Sequence, residues 1–163
     1  MTNSSILDRM NKDNYFRMGY FYQAAGDFHA AAECFIRSIE NGPTAEAHTF
    51  LALVLNQLGE VKEAITECKR ALKLDPNFGN ALNDLGAYLI DTRNLDEAMT
   101  YLKKALKAKN YDHPEYPHYN MARIYIQKDM LMKAKEELEL SLKANAKFSQ
   151  AKELLDRIQR LVH

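Results

Sequence analysis

Small residues recur through this chain at a nearly fixed interval, and that interval constrains its fold more than any other feature. Ala31, Ala64, Ala98 and Ala134 are spaced by 33, 34 and 36 residues. Gly19, Ala52, Gly86 and Ala122 keep the same three intervals, and so do Ser38, Ala71, Ala105 and Ser141. Helix breakers keep step: Gly26 and Gly59 are 33 residues apart, as are Pro43 and Pro76. A period of this length is the signature of stacked supersecondary units, none of which can bury its apolar face alone.

Between these markers the apolar residues have helical spacing. Each of four units therefore predicts an A helix and a B helix: 13–25 with 28–40, 45–58 with 61–74, 79–92 with 95–109, and 115–128 with 131–144. A last amphipathic segment, 149–162, carries Leu154, Leu155, Ile158, Leu161 and Val162 on one face. Two-residue connections (Gly26-Asp27, Gly59-Glu60, Arg93-Asn94, Asp129-Met130) make the paired helices antiparallel. Helices cross at about 8–10 Å and approach more closely only where the contact residues are small, so Gly19 or Ala52 is expected to face Ala31 or Ala64. Larger residues, Tyr22, Leu55, Leu89 and Tyr125 against Phe35, Cys68, Leu102 and Leu138, would fill the seams.

Composition removes several function classes. Lysine plus arginine equals aspartate plus glutamate, 22 against 22, so nothing favours a nucleic-acid partner or an anionic membrane surface. No apolar stretch reaches the roughly 18 residues of a membrane span, so direct membrane insertion is not expected. The opening MTNSSILDRM has neither the cationic start nor the apolar core of a secretory signal. The expectation is a cytoplasmic protein, or a periplasmic or outer-membrane associated one if a leader has been trimmed. Cys34 and Cys68 read as small apolar residues of successive B helices rather than a disulfide or zinc pair.

No catalytic constellation, metal site or cofactor motif appears, and no enzyme is expected. His113 and His118 are five apart with two prolines near them, so they do not share a helix turn as ligands. Glu136 and Glu137 read as solvated residues of an outer B-helix face.

Tyr15, Met18-Gly19, Tyr22, Gly26, Phe28, Ala31, Phe35, Ser38 and Pro43 follow the tetratricopeptide-repeat (TPR) pattern almost residue for residue. Later units resemble it through Leu51-Ala52, Ala64, Ala71 and Pro76, through Leu85-Gly86, Ala98 and Ala105, and through Met121-Ala122, Tyr125, Ala134 and Ser141. Asn145-Ala146 stands where the family favours Asp-Pro, and the usual helix-A tryptophan is replaced by Tyr15, His48, Leu82 and His118. The resemblance covers about residues 12–148 and implies an all-α, right-handed α-solenoid of four helix pairs with a C-terminal capping helix. The chain then divides into an N-terminal extension (1–11), repeats at 12–44, 45–78, 79–114 with a lengthened link, and 115–148, and a cap at 149–163.

The resemblance also implies a concave face lined by A helices that holds a peptide segment of a protein partner. Carried over by position, that groove contains Phe16, Arg17, Tyr20 and Gln23, then Thr49, Phe50, Leu53 and Asn56. It continues through Asn80, Asn83, Asp84 and Ala87 to Tyr116, Tyr119, Asn120 and Arg123. Asparagines can bond a peptide backbone and tyrosines supply apolar walls. The other reading of Phe16, Tyr20 and Phe50 is that they pack between neighbouring helices. Lysines and asparagines that would clamp a chaperone's C-terminal carboxylate are missing, since Phe16, Tyr20, Phe50, Asn80 and Asp84 hold those places; a co-chaperone is disfavoured. The proline-bearing link within 108–122 resembles that of bacterial TPR proteins of type IV pilus assembly and secretin localisation, although those are usually lipoproteins and no lipid-attachment cysteine stands at this start. Self-association into a homo-oligomer through Leu154, Ile158 and Leu161 is the competing function class.

Overall fold

A computed structural model describes residues 10–162. Among the described residues every regular element is helical: α1 (Lys12–Ala24), α2 (Phe28–Glu40), α3 (Ala45–Gln57), α4 (Val61–Leu74), α5 (Gly79–Asp91), α6 (Leu95–Lys107), α7 (Glu115–Gln127), α8 (Leu131–Ala144) and α9 (Ser149–Val162). Of the expected extension 1–11, residues 1–9 lie outside the described ones. The chain forms two compact units, Met1–Pro76 and Asn77–His163.

The A helices α1, α3, α5 and α7 each end one residue sooner than their spacing predicts. The cause is a common stop. Gly26, Gly59, Arg93 and Asp129 all take left-handed backbone angles, with φ of 80°, 85°, 62° and 57°. The next N–H then reaches back to close the helix end: Asp27 to Tyr22 and Glu60 to Leu55 at 2.9 Å, Asn94 to Leu89 and Met130 to Tyr125 at 2.8 Å. Helix α6 stops at Lys107 rather than 109 because Ala108 is extended. Starts are capped by Asn11, whose Oδ1 accepts from Asp13 and Asn14 at 3.0 Å, and by Thr44 and Asp27, which accept at 3.1 Å.

The small columns are buried, with Ala31, Ala52, Ala64, Ala98, Ala122 and Ala134 fully so. Their glycines admit a side chain as much as a backbone. A Cβ on Gly19 would lie 2.7 Å from the Phe35 ring, and one on Gly86 would lie 2.6 Å from Leu102 and 3.4 Å from the Ala98 carbonyl. Gly19 thus makes room for the Phe35 ring, and Gly86 for Leu102 as well as the Ala98 backbone of the small column. In the third column Ser38 and Ser141 donate across their own repeats to the carbonyls of Lys12 and Glu115, both at 2.8 Å.

In the first unit the core gathers Ala31, Phe35, Leu51 and Val54, with Phe16, Phe28, Phe50 and Leu55 packed on it. In the second, Ala122, Ala134, Leu138, Phe148, Ala151 and Ile158 form a cluster that seats α9 on α8. Ile158 is only 3% exposed and belongs to this seat. Leu161 is 75% exposed and takes no part in the cap's seat. Cys34 and Cys68 are buried and form no disulfide; burial first, then Glu33, pushes the Cys34 thiol up.

Two histidines at the tryptophan position are held by glutamates 19 residues on. His48 Nδ1 meets Glu67 at 2.6 Å, with Arg70 also on Glu67, and His118 Nδ1 meets Glu137 at 2.7 Å. Glu137 is therefore half-buried and partnered, not the solvated residue its position on the sequence suggested. Imidazole and carboxylate satisfy each other, which removes the penalty of burying either alone.

Candidate partner-binding faces

The A helices of the first unit present an aromatic face. Phe16 and Phe50 stack edge-on at 5.3 Å, and each also packs on Phe35, at 5.5 and 5.6 Å. Both rings are half-buried, so part of their surface serves the core. Tyr20 lies 5.9 Å from Phe50 and is 56% exposed. Arg17 is exposed, and Gln23, Leu53 and Asn56 are half-buried. Thr49 is buried, its hydroxyl donating to the Ala45 carbonyl at 2.7 Å, so it does not face a ligand.

The second unit's A helices present a polar face organised by one chain of hydrogen bonds. Arg123 Nη1 donates to Asn120 Oδ1 at 3.0 Å, Asn120 Nδ2 to Asn83 Oδ1 at 3.1 Å, and Asn83 Nδ2 to Asp84 Oδ1 at 3.2 Å. A guanidinium only donates and a carboxylate only accepts, so the two ends fix the direction of both amides between them. Arg123 also donates through Nη2 to Asp91 at 2.7 Å, which ties α7 to α5 a second time. Asn83 and Asn120 are both buried, so the relay joins two helices and withdraws these amides from an incoming peptide. Burial holds the Asp84 carboxyl up at about 6, against the opposing hydrogen bond from Asn83.

Around the relay, Asn80 is exposed, Asp84, Ala87, Tyr119 and Arg123 are half-buried, and Tyr116 is 42% exposed. Tyr116 and Tyr119 both lean edge-on against Phe148, at 5.3 and 5.2 Å. The sequence reading missed Tyr111 and Glu115, which the lengthened link brings to this face. Tyr111 is half-buried, and its ring rests on Gly79, where a Cβ would lie 2.3 Å from the Tyr111 Cβ. The glycine at the start of α5, opposite a tyrosine in an irregular link, is the one sequence signal that could have suggested this contact. His113 bonds Glu115 at 3.3 Å while His118 goes to Glu137, so the two histidines serve different partners.

Three tetratricopeptide-repeat models match the chain, at residues 16–78, 55–117 and 117–148. The chain belongs to the tetratricopeptide-repeat family, a class of generally non-catalytic protein–protein interaction scaffolds. It is similar to the type IV pilus assembly protein PilF of Pseudomonas aeruginosa, at 29% identity over 135 residues, 82% of this chain and 54% of that protein. It thus spans about half the length of that relative. The solved structure of Pseudomonas aeruginosa pilF superposes with a TM-score of 0.83 at 26% identity, covering 90% of this chain and 67% of that one. PilW, a type IV pilus biogenesis factor, gives a TM-score of 0.85 over 92% of this chain and 69% of its own, and at 22% identity that likeness is one of fold. Heat shock protein STI1 of Saccharomyces cerevisiae is 27% identical over 60% of this chain and 17% of its own length. No helix among the described residues is long and apolar enough to cross a membrane.

Proposed function

We propose that this chain is a non-catalytic adaptor whose A-helix faces bind an extended peptide segment of a partner protein, in the assembly of a type IV pilus or a secretion complex. The observation that carries the reading is the make-up of the second unit's A face. Exposed positions of the B helices are mostly charged, with Lys103, Lys104, Lys107, Glu136, Glu139 and Lys143 beside the apolar Met132 and Leu140. The A helices instead offer Asn80, Asp84, Tyr116 and Tyr119. An extended segment displays N–H and C=O groups that an exposed amide can answer in both senses, while phenol rings add area at low entropic cost. The similarity to PilF supports the process. A pilus role would put the chain at the cell envelope, and fractionation of its host decides between envelope and cytoplasm.

A co-chaperone role through a clamp on a C-terminal carboxylate remains disfavoured. Aromatic Phe16, Tyr20 and Phe50 occupy the places where that clamp needs lysine and asparagine, and they contact one another.

The test is affinity capture from an extract of the host, comparing wild type with the Asn80→Ala/Tyr116→Ala pair. Both positions are exposed, whereas Asn83 sits in the relay and would confuse lost binding with lost packing. Wild type should retain a pilus or secretion component that the double variant loses. Equal recovery by the two proteins removes the A face from the account, and a captured set free of such components removes the process.

A further inference from the structure

The relay of the second unit ends on a carboxylate with an oxygen to spare. Asp84 Oδ1 accepts from Asn83, and no lysine, arginine or histidine among the described residues forms an ion pair with this group. Arg123, the cation at the far end, is committed to Asn120 and Asp91. The Tyr111 phenol lies under the influence of a second carboxylate as well: burial, then Asp84, Glu115 and Tyr116, push it well above its ordinary value. Glu115 has His113 and, at 3.5 Å, the Asn145 amide beside it. The rings of Tyr111, His113 and Tyr116 follow one another at 6.1 and 5.8 Å. Asp84, which has no ion pair among the described residues, and a row of aromatic rings seated through Tyr111 on Gly79 of the same helix therefore share one patch.

We propose that this patch receives a lysine or arginine side chain of the bound segment, with Asp84 accepting from the cation and the rings of Tyr111 and Tyr116 lining its stem. The inference rests on the peptide-binding reading above. A half-buried carboxylate with no cation of its own gains more from an arriving ammonium or guanidinium than a fully solvated one does, and a tyrosine face adds cation–π attraction. A phosphate or a free C-terminal carboxylate would meet like charge here. The elevated Asp84 pKa fits this arrangement, because an entering cation would restore the charged form and release the proton.

The full chain can be tested against a phage-displayed library of random peptides of about 12 residues, roughly 40 Å when extended. Wild type should recover peptides that share a lysine or arginine at one fixed position, and Asp84→Asn should recover peptides without it. A synthetic wild-type-selected peptide should bind Asp84→Asn about 10-fold or more weakly by fluorescence anisotropy. It should bind Asp156→Asn, which makes the same charge change on exposed α9, as it binds wild type. Lowering the solution from about pH 7.5 to about pH 5 should weaken the wild type more than it weakens Asp84→Asn, because the His113 imidazole beside Glu115 is common to both proteins. Selected peptides with no shared basic residue, or the same specificity in Asp84→Asn, would overturn the inference and leave peptide binding standing. Failure of both proteins to select any peptide would overturn the two together.

Discussion

The two units share one scaffold and put different chemistry on it. In the first, the A helices show solvent the flanks of phenylalanines whose other sides belong to the core. In the second, the equivalent helices show amides, phenols and a carboxylate, held by a relay from Arg123 to Asp84. Their turns differ in the same sense: glycine occupies the left-handed position in the first unit, and Arg93 and Asp129 are forced into it in the second. The columns that set helix pairing are common to both units, so the residues between them are free to diverge. The first unit has used that freedom for packing and the second for a polar surface.

Changes that break the comparison most should fall in the aromatic unit. Phe35 is fully buried under Phe16, Phe50 and the Gly19 backbone, so Phe35→Ala should cost about 3–5 kcal/mol by urea denaturation. A loss below about 1 kcal/mol would mean that the aromatic face does not serve the core. Ala64 has no exposed surface, and Ala64→Leu should overpack the α3–α4 contact by about 1–3 kcal/mol, measured in the same way.

In the polar unit the informative variable is pH. Asp84 is raised in the folded chain to about 6, above its ordinary value of 3.8, so its ionised form opposes folding. That penalty is complete above about pH 6 and disappears as the pH falls towards the unfolded value. Asp84→Asn, which keeps an acceptor for Asn83, should therefore raise stability by roughly 1–2 kcal/mol near pH 7.5 and by almost nothing near pH 4. A difference that is flat with pH would show that the carboxylate is not desolvated. The smallest effects belong to the turns. Arg93→Gly or Asp129→Gly should gain up to about 1 kcal/mol in thermal melts, and Gly26→Ala or Gly59→Ala should lose a similar amount.

The sequence made the helices legible because the small columns and the apolar period both depend on residues close together in the chain. Even the register of the turns could be read, apart from the single residue by which Ala25, Leu58, Thr92 and Lys128 fall outside their helices. The candidate face was harder, because its bonds cross between helices. Asn83 and Asn120 read as two ligand-binding amides, yet they are 37 residues apart and bond each other. Glu137 looked solvated because its partner His118 lies on the preceding helix. Tyr111 drew no attention in an irregular link, since only the fold brings it over Gly79. Helical phase tells which side a residue occupies, but not which residue of the next helix will meet it.

Hydrogen exchange, followed with and without a peptide recovered from the library, tests the central claim most directly. If the second unit's A face is the binding surface, protection should increase in α5, in the link from 108 to 114 and in α7, while α6, α8 and α9 exchange as before. Protection confined to the B helices or the C-terminal helix would contradict the account.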